Sequence, residues 1–262
     1  MGGPGLRPQY RLTVDVREQL PEQMPGLYRY ISSITRNPAT AEDLMQETLT
    51  RALEKSDALQ SPAALRSWLF RIAHNTTIDY YRRQREEPSE DIAVEVEQRW
   101  RDDDYTVDAE VVVTRSETAD EVRDALVRLP YAYRSVLVLH DAQGWTAREI
   151  AEVMDLGLPA TKQRLRRGRM MLVSAMAQGH ERRVVTAGVP LRCWDARQHV
   201  SAYLDGELAS ETATAVEAHL AGCPTCPPLY ASLVSVRDAM GALRDSDAVI
   251  PDHLADRIRS RG

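Results

Sequence analysis

Apolar residues recur at helical spacing along most of the chain, and few stretches alternate as the residues of a strand do. In AEDLMQETLTRALEK, one helix face carries Met45, Leu49, Ala52 and Leu53, while polar residues occupy the other face. The next segment, LRSWLFRIAHNTTIDYYRR, repeats this pattern with a buried side made of Leu65, Trp68, Leu69, Ile72 and Ile78. The pattern predicts an all-α fold with no convincing strands.

Polar stretches divide the predicted helices into separate units. Residues 86–117 are acidic, contain Pro88 and lack a clean apolar stripe, and Val111–Val113 is too isolated to make a sheet. Gly188 and Pro190 mark a second break. The predicted organisation is a flexible lead at 1–20, a helical domain at 21–86, an acidic linker at 87–117, a second helical domain at 118–183, a linker at 184–192, a small helical domain at 193–244 and a tail at 245–262.

The second helical domain contains the pattern of a helix-turn-helix. Thr146 can cap a helix that has Ile150, Ala151 and Met154 on its inner side. A tight turn at 155–157 follows, and Pro159 suits the first turn of the next helix. That second helix is anchored by Leu165, and its predicted exposed residues are Lys162, Gln163, Arg164, Arg166, Arg167 and Arg169. A basic second helix favours DNA binding over an ordinary solvated bundle helix.

Charge is segregated along the chain, although the net charge is only −6. Residues 66–85 carry five Arg against one Asp, and residues 161–183 carry six Arg and one Lys against one Glu. Between them, residues 86–121 carry 14 acidic residues against three Arg. Two basic blocks on either side of an acidic connector indicate two modules that face nucleic acid.

Several classes of protein are disfavoured by the composition. No apolar run approaches the roughly 18 residues of a membrane span, and MGGPGLRPQY lacks the apolar core of a signal peptide. We therefore expect a cytoplasmic protein without a membrane partner. The three cysteines cannot all pair with one another, so a disulfide framework is not expected.

The cysteines fall in a pattern that is typical of a metal site. Cys193 is followed after 25 residues by His219, after three more by Cys223 and after two more by Cys226. Four Cys and His ligands predict one closed tetrahedral Zn²⁺ site, which is structural or redox-sensing. The alternatives are a redox pair or a fortuitous Cys-x-x-Cys, and His199 is a competing ligand. Ser210 is the predicted N-cap of the helix that ends at His219.

The order AEDLMQETLTRAL, LRSWLFRIAHNTTIDYYRR, acidic linker and LPYAYRSVLVLHDAQGWTAREIAEVM resembles an extracytoplasmic-function (ECF) sigma factor over roughly 21–180. The resemblance implies a bacterial initiation factor rather than an enzyme, with core RNA polymerase and promoter DNA as partners. It implies that the first domain corresponds to sigma region 2 and that its polymerase-binding residues are Asp43, Gln46 and Glu47. The acidic linker resembles the segment that threads the polymerase channel, and the alternative is a merely soluble tether.

The resemblance also assigns the DNA-reading residues. For the −10 element, where flipped bases are captured, it implies Arg71, His74, Asn75, Tyr80, Tyr81, Arg82 and Arg83. For the −35 element, read by a domain that resembles sigma region 4, it implies Thr161, Lys162, Gln163, Arg164, Arg166, Arg167 and Arg169. One departure is Ala160, which cannot offer the hydroxyl usual in the family at that place.

The segment from Cys193 to Cys226 resembles a zinc-binding anti-sigma domain, which in its family usually sits on a separate protein. Such a domain normally wedges between the two sigma domains and hides their polymerase-binding faces. Fusion makes the contact intramolecular, at an effective concentration on the order of mM. We therefore expect modulation in cis, and the sequence leaves open whether the tail inhibits, activates or stabilises, and whether a separate regulator exists.

Two other function classes account for part of the sequence. The first is a helix-turn-helix regulator that works without polymerase and carries a zinc or redox sensor domain, but such a protein has no use for the AEDLMQET face and the IAHN helix. The second is a zinc hydrolase, which needs an open coordination position. Four protein ligands and the lack of a His-Glu-x-x-His motif argue against a hydrolase.

Overall fold

The computed structural model describes residues 16–35, 37–59, 61–84, 90–183 and 191–243. The first helical domain consists of α1 (Val16–Thr35), α2 (Pro38–Glu54) and α3 (Leu65–Arg83), with short 3₁₀ turns at Ser56–Ala58 and Pro62–Ala64. The connector consists of α4 (Glu90–Arg101), β1 (Tyr105–Val107) and α5 (Ala109–Ser116). The predicted all-α class is confirmed by this helical content.

The second helical domain consists of α6 (Ala119–Val127), α7 (Tyr131–Leu137), a π-helical turn at Val138–Ala142, α8 (Ala147–Val153) and α9 (Leu158–Met176), followed by β2 (Glu181–Arg183). The C-terminal domain consists of α10 (Cys193–Arg197), α11 (Val200–Leu204), α12 (Ser210–Gly222) and α13 (Cys226–Ala242). The whole predicted tail at 245–262 and residues 184–190 of the predicted linker at 184–192 lie outside the described residues. None of the described helices combines the length and the apolar character that crossing a membrane requires.

Helix α1 begins at Val16, within the segment predicted to be a flexible lead. Val16, Leu20, Met24 and Leu27 follow one another at helical spacing, and all four are buried. The apolar stripe therefore extends the helix in front of Pro21, which sits inside it. Residues 1–15 of the predicted lead are outside the described part of the chain.

The connector is folded, contrary to the predicted linker without an apolar stripe. Ala93, Val96 and Trp100 form a narrow buried stripe on α4, spaced three and four residues apart among acidic neighbours. The indole of Trp100 donates to Ser174 Oγ of α9 at 3.1 Å. The valines at 111–113 lie in α5 and not in a strand-like run.

Two short strands correct the prediction that the chain has none. β1 pairs antiparallel with β2, with Tyr105 opposite Arg183 and Val107 opposite Glu181. The Glu181–Arg183 stretch carries no apolar alternation, so its sequence gives no sign of a strand. The ribbon joins the connector to the end of the second helical domain.

One hydrophobic core runs from Val16 to Leu243 and includes residues from all four parts of the described chain. Helices α1 and α3 pack directly on the second helical domain, where the Phe70 ring lies 4.7 Å from the Trp145 ring and Arg66 stacks on the Trp145 face at 4.3 Å. Helix α13 packs on α5, α9 and the π-helical turn. The described parts of the chain therefore pack together around one shared core, and we call this the closed arrangement.

Candidate metal centre and nucleic-acid interface

Four buried side chains of the C-terminal domain bring their ligand atoms within 4.8 Å of one another: Cys193, His219, Cys223 and Cys226. The sulfurs of Cys193 and Cys223 are 3.6 Å apart, and Nε2 of His219 is 3.2 Å from the Cys226 sulfur. In a tetrahedral zinc site with Zn–S bonds of about 2.3 Å, neighbouring sulfurs are about 3.8 Å apart. The spacing and the S₃N donor set both fit Zn²⁺.

Three helix ends hold these ligands in place. Cys193 is the first residue of α10, and His219 lies in the last turn of α12. Cys226 is the first residue of α13 and is followed directly by a proline. The backbone N–H of Cys223 donates to the His219 carbonyl, and the N–H of Cys226 donates to the Cys223 sulfur at 3.4 Å. The prediction that Ser210 is the N-cap of α12 is wrong: Ser210 is the first helical residue and Ala209 is the cap, without a side-chain hydrogen bond. His199 lies at the N-terminus of α11, outside the cluster.

The thiols of the cluster differ in their surroundings. Burial raises the pKa of Cys226, and the charge of Arg197 opposes this only in part. Burial alone also raises the pKa of Cys223, but hydrogen bonds from Thr225 and from the Cys226 backbone outweigh it and leave that pKa below its usual value. The pKa of His219 is lowered, mainly because burial disfavours its cationic form. A neutral imidazole is the form that binds a metal.

The helix-turn-helix pattern is present in α8 and α9. Thr146 and Glu149 form a reciprocal capping box at the start of α8, and Asp155 takes a φ of 53° in the turn between the helices. Pro159 lies in the first turn of α9, and Leu165 is buried as the anchor. The two helices are therefore built from the local signals that predicted them.

The predicted −35 residues of α9 are largely engaged by other parts of the same chain. Thr161 is buried and donates back to the Gly157 carbonyl. Lys162 pairs with Glu207 of the C-terminal domain at 2.7 Å, whereas Gln163 is exposed and Arg164 is half-buried. The prediction that six polar side chains of α9 stay exposed holds for Lys162 and Gln163. It is wrong for the buried Arg169 and for the half-buried Arg164, Arg166 and Arg167.

Glu97 of the connector lies against the middle of α9. Its carboxylate accepts from Arg166 at 3.2 Å and from Arg167 at 2.6 Å. Burial alone raises the pKa of Glu97, but Arg166 and the hydrogen bonds from neighbouring arginines outweigh it and hold that pKa below its usual value. The guanidinium of Arg166 also stacks on the ring of Trp194 in the C-terminal domain, 5.3 Å from its centroid.

Arg169 differs most from the predicted exposure of the −35 candidates, because only 1% of it is exposed. Its guanidinium binds Asp141 at 2.6 Å and Asp205 at 2.9 Å, and it donates to Ser201 Oγ at 2.7 Å. Burial alone raises the pKa of Asp141, but His140 and Arg169 outweigh it and keep that pKa low. In this arrangement Arg169 joins the C-terminal domain to the second helical domain and does not face solvent.

The sequence does not predict the acidic residues that contact α9, which are Glu97 of the connector, and Asp205 and Glu207 of the turn after α11. We call these three residues the acidic cover. The turn needs Gly206, which has a φ of +70° that other residues rarely adopt. The only local signal was the LDGE sequence itself, which does not reveal the helix it contacts.

The predicted −10 residues on α3 fall into two groups. Asn75, Arg82 and Arg83 are exposed, and Tyr80 is half-buried. His74 is 5% exposed, and its Nδ1 lies 2.8 Å from the Tyr131 hydroxyl of the second helical domain and 3.2 Å from the Tyr30 hydroxyl. Tyr81 is also buried and donates to the Ile34 carbonyl. The exposed Arg71 donates to the Glu152 carbonyl of α8.

A contact with DNA at His74 or Tyr81 is therefore not available in this closed arrangement. The reason is that α3 has the second helical domain packed against it. Burial, together with the charges of Arg164 and Arg82, lowers the pKa of His74 to about 3, so its ring is neutral in the interface. The sequence could not show this packing because the partner residue Tyr131 is 57 positions away.

The predicted polymerase-binding face on α2 remains at the surface. Asp43 is exposed, Gln46 is half-buried, and Glu47 pairs with Arg51, which also binds Asp79 of α3. The C-terminal domain makes its main contacts with the connector and the second helical domain. It does not wedge between the two sigma-like domains as the resemblance implied, because α3 and α8 already pack directly on each other.

Comparison with known families finds three matches along the chain. Sigma-70 region 2 matches residues 22–87, sigma-70 region 4 matches residues 119–172, and the family described as putative zinc-finger matches residues 193–226. The zinc-finger match spans all four residues of the Cys/His cluster. The order of the matches is that of the first helical, second helical and C-terminal domains.

Individual proteins are similar over a large part of their length. The ECF RNA polymerase sigma factor EcfG of Rhodopseudomonas palustris is 31% identical over 163 residues, which is 62% of this chain and 84% of that protein. The RNA polymerase sigma factor YlaC of Bacillus subtilis is 28% identical over 159 residues, which is 59% of this chain and 88% of that protein.

A solved structure is also similar, at a low level. It is the sigma factor RpoE in complex with the anti-sigma factor NepR from Bartonella quintana, with 22% identity and a TM-score of 0.45, covering 62% of this chain and 96% of that chain. This similarity is too low to inform the arrangement of the domains.

Proposed function

We propose, since this chain belongs to the ECF sigma factors of RNA polymerase, that its promoter-reading surfaces are masked in cis by its own connector and C-terminal domain. In the proposed open state, the first helical domain docks to core polymerase through Asp43, Gln46 and Glu47. The exposed residues of α3 then bind the −10 strand and α9 binds the −35 duplex. The reading of each element by these named residues is part of the proposal.

The observation that carries the proposal is the acidic cover on α9. Lysine and arginine contacts to phosphates supply most of the affinity of a DNA-binding helix. In this chain Lys162, Arg166 and Arg167 are paired with carboxylates. Each carboxylate occupies the place that a phosphate oxygen would take, so DNA has to displace it. Because the cover is covalently attached, it competes at an effective concentration on the order of mM.

The packing of α3 supports masking of the −10 side as well. His74 and Tyr81 lie in the interface with the second helical domain, so an open −10 surface requires the two domains to separate. The same separation is needed for two sigma domains to reach promoter elements that lie apart on the DNA. The closed arrangement is therefore an inactive conformation in this proposal.

The metal site gives the C-terminal domain its shape. Cys193, His219, Cys223 and Cys226 would hold one Zn²⁺, which supplies a structural cross-link between α10, α12 and α13. The buried apolar residues that the structure describes in this domain belong to the core that it shares with the rest of the chain, and only its three cysteines form a separate buried cluster. The cross-link would therefore contribute directly to the folding free energy of this small domain. The helix that carries Asp205 on its C-cap, α11, lies between two of these ligands in the chain.

The alternative of a regulator that works without polymerase is not favoured, because the relatives are named as RNA polymerase sigma factors. A direct discriminator is transcription in vitro with core polymerase and a promoter library. The full chain is compared with Cys223→Ser, which removes one metal ligand, and with the triple variant Glu97→Gln, Asp205→Asn and Glu207→Gln. The matched control is Glu95→Gln, Glu211→Gln and Asp238→Asn, which changes the net charge equally at exposed positions. Glu95 and Asp238 pair with Arg99 and Arg237, which are outside α9.

We expect the triple variant and Cys223→Ser to transcribe from the same promoters as the full chain, with at least about tenfold more product. The control should resemble the full chain. Equal output from all four proteins would contradict masking in cis. The absence of promoter-specific product from every protein would contradict sigma activity itself.

A further inference from the structure

Arg197 is a fully buried arginine whose five N–H donors are all used. Nε donates to the Cys226 sulfur at 3.3 Å. Nη1 donates to the carbonyls of Trp100 and Asp102, at 2.8 and 2.7 Å. Nη2 donates to the Tyr105 carbonyl at 2.8 Å and to Thr225 Oγ1 at 3.0 Å. One planar group therefore touches a metal-ligand sulfur and three backbone carbonyls of the connector at the same time.

The partners of this guanidinium are unusual for a buried cation. Buried arginines are normally paired with carboxylates, because an uncompensated charge in the interior is costly. Every hydrogen-bond acceptor that the structure describes for Arg197 is a carbonyl, a hydroxyl or the Cys226 sulfur. A Zn²⁺ ion bound by three thiolates and a neutral imidazole carries a net charge of −1, which is opposite to that of Arg197.

A second set of contacts ties the same two segments together. Thr225 lies between the ligands Cys223 and Cys226 and is fully buried. Its hydroxyl donates to the Asp103 carbonyl at 3.1 Å, and its own carbonyl accepts from the Thr106 hydroxyl at 2.8 Å. The metal-binding turn and residues 100–106 of the connector are thus linked from both sides.

We propose that Arg197 is a positioning residue that couples the metal centre to residues 100–106, so that metal occupancy sets how firmly the connector is held. This inference rests on the proposed zinc site. The bound metal holds the Cys226 sulfur in place as an anionic acceptor for Nε of Arg197. Because the same guanidinium donates to the carbonyls of Trp100 and Asp102, it links the sulfur to the end of α4. Because α4 carries Glu97, the same link reaches the acidic cover on α9.

The test uses the full chain loaded with Co²⁺, whose sulfur-to-metal charge-transfer band reports on the thiolate ligands. The first variant is Arg197→Lys, which keeps the charge but cannot span the sulfur and the three carbonyls. The second is Thr106→Val, which removes one tie to the connector without touching Arg197 or a ligand. The control is Arg237→Lys, in the same domain, where the arginine binds the Leu204 carbonyl and Asp238.

Two readouts are taken for each protein: the charge-transfer band, and hydrogen exchange of the backbone amides at 100–106. For Arg197→Lys we expect a shifted band, because the Cys226 sulfur loses its donor, and exchange that is about tenfold faster. For Thr106→Val we expect faster exchange with an unchanged band. The control should change neither readout.

An unchanged band and unchanged exchange in Arg197→Lys would overturn the proposal. If that variant does not fold, the wild-type chain decides the matter by comparison of its metal-loaded and metal-stripped forms. Exchange at 100–106 must rise at least about tenfold on stripping, and an equal rate in both forms would refute the coupling. A wild-type chain that binds no Co²⁺ would refute the metal centre and the coupling together. If only the masking of α9 were wrong, the expected results for the charge-transfer band and for hydrogen exchange at 100–106 would still be observed.

Discussion

The guanidinium of Arg169 lies between two carboxylates, and its burial determines what its removal costs. Asp141 and Asp205 are both largely shielded from water, with side-chain exposures of 3% and 16%. A buried ion pair contributes little compared with a well-packed apolar group, but removing one partner leaves the other charge uncompensated. Lys162, on the same helix as Arg169, by contrast forms an exposed pair with Glu207 of the turn after α11.

We predict that Arg169→Met lowers the free energy of unfolding by about 3–5 kcal/mol, because two carboxylates lose their cation. Lys162→Met, its matched control, should change that free energy by less than about 1 kcal/mol. Urea unfolding followed by circular dichroism measures both. A similar small effect for the two variants would mean that Arg169 is not buried in solution.

His74 makes a prediction about pH. Burial, with the charges of Arg164 and Arg82, lowers its pKa to about 3 from the usual 6.5. Between these pH values the unfolded chain binds a proton that the folded chain does not. The stability of the folded chain therefore falls as the pH decreases from about 6.5, by up to about 1.4 kcal/mol per pH unit from this one group.

The substitution His74→Asn keeps an acceptor for the Tyr131 hydroxyl and removes the titration. We expect a shallower decrease of stability between pH 6.5 and 4.5 in this variant than in the wild-type chain. His180→Asn, at an exposed histidine, serves as the control and should keep the wild-type slope. Parallel slopes for His74→Asn and the wild-type chain would show that His74 does not lie in a closed interface.

At the scale of the elements, the sequence predicts what is determined locally. The capping box of Thr146 and Glu149, the turn at Asp155 and the apolar stripe of α3 all follow from residues within a few positions of one another. The four residues of the Cys/His cluster are also predictable, since their spacing and residue types are chemically specific. The structure brings those four together and so agrees with the predicted cluster.

The missed elements depend on partners that are distant in sequence. The stripe of Ala93, Val96 and Trp100 is too narrow to stand out among acidic residues, and α4 is stabilised by packing on α9 about 70 positions later. The strands β1 and β2 are also separated by more than 70 residues. Local patterns cannot reveal such pairings, because each half has no distinctive signal of its own.

At the scale of the whole molecule, the proposed Zn²⁺ would hold together the domain that covers α9. We predict that stripping the metal with a strong chelator lowers the melting temperature of the chain and increases its hydrodynamic radius, because α10, α12 and α13 lose their common anchor. Differential scanning fluorimetry and size-exclusion chromatography measure these changes, and re-addition of Zn²⁺ should reverse them. An identical melting temperature with and without metal would contradict a structural role.

The closed arrangement also explains why net charge alone misleads about DNA binding. The basic helix α9 and the acidic connector carry charges of opposite sign, and the fold places them against each other. A chain in this state presents few free cations on α9 to DNA. The proposed opening would change no charge, but it would uncover the helix that carries the basic residues.

The most direct test of the masking of α9 is the affinity of the full chain for duplex DNA, measured by fluorescence anisotropy at low and moderate salt. The three proteins are the wild-type chain, the acidic-cover variant Glu97→Gln, Asp205→Asn and Glu207→Gln, and the control Glu95→Gln, Glu211→Gln and Asp238→Asn. We predict that the acidic-cover variant binds at least about tenfold more tightly than the control, with the advantage shrinking as salt increases. Equal affinity of the variant and the control would contradict the claim that these carboxylates mask α9.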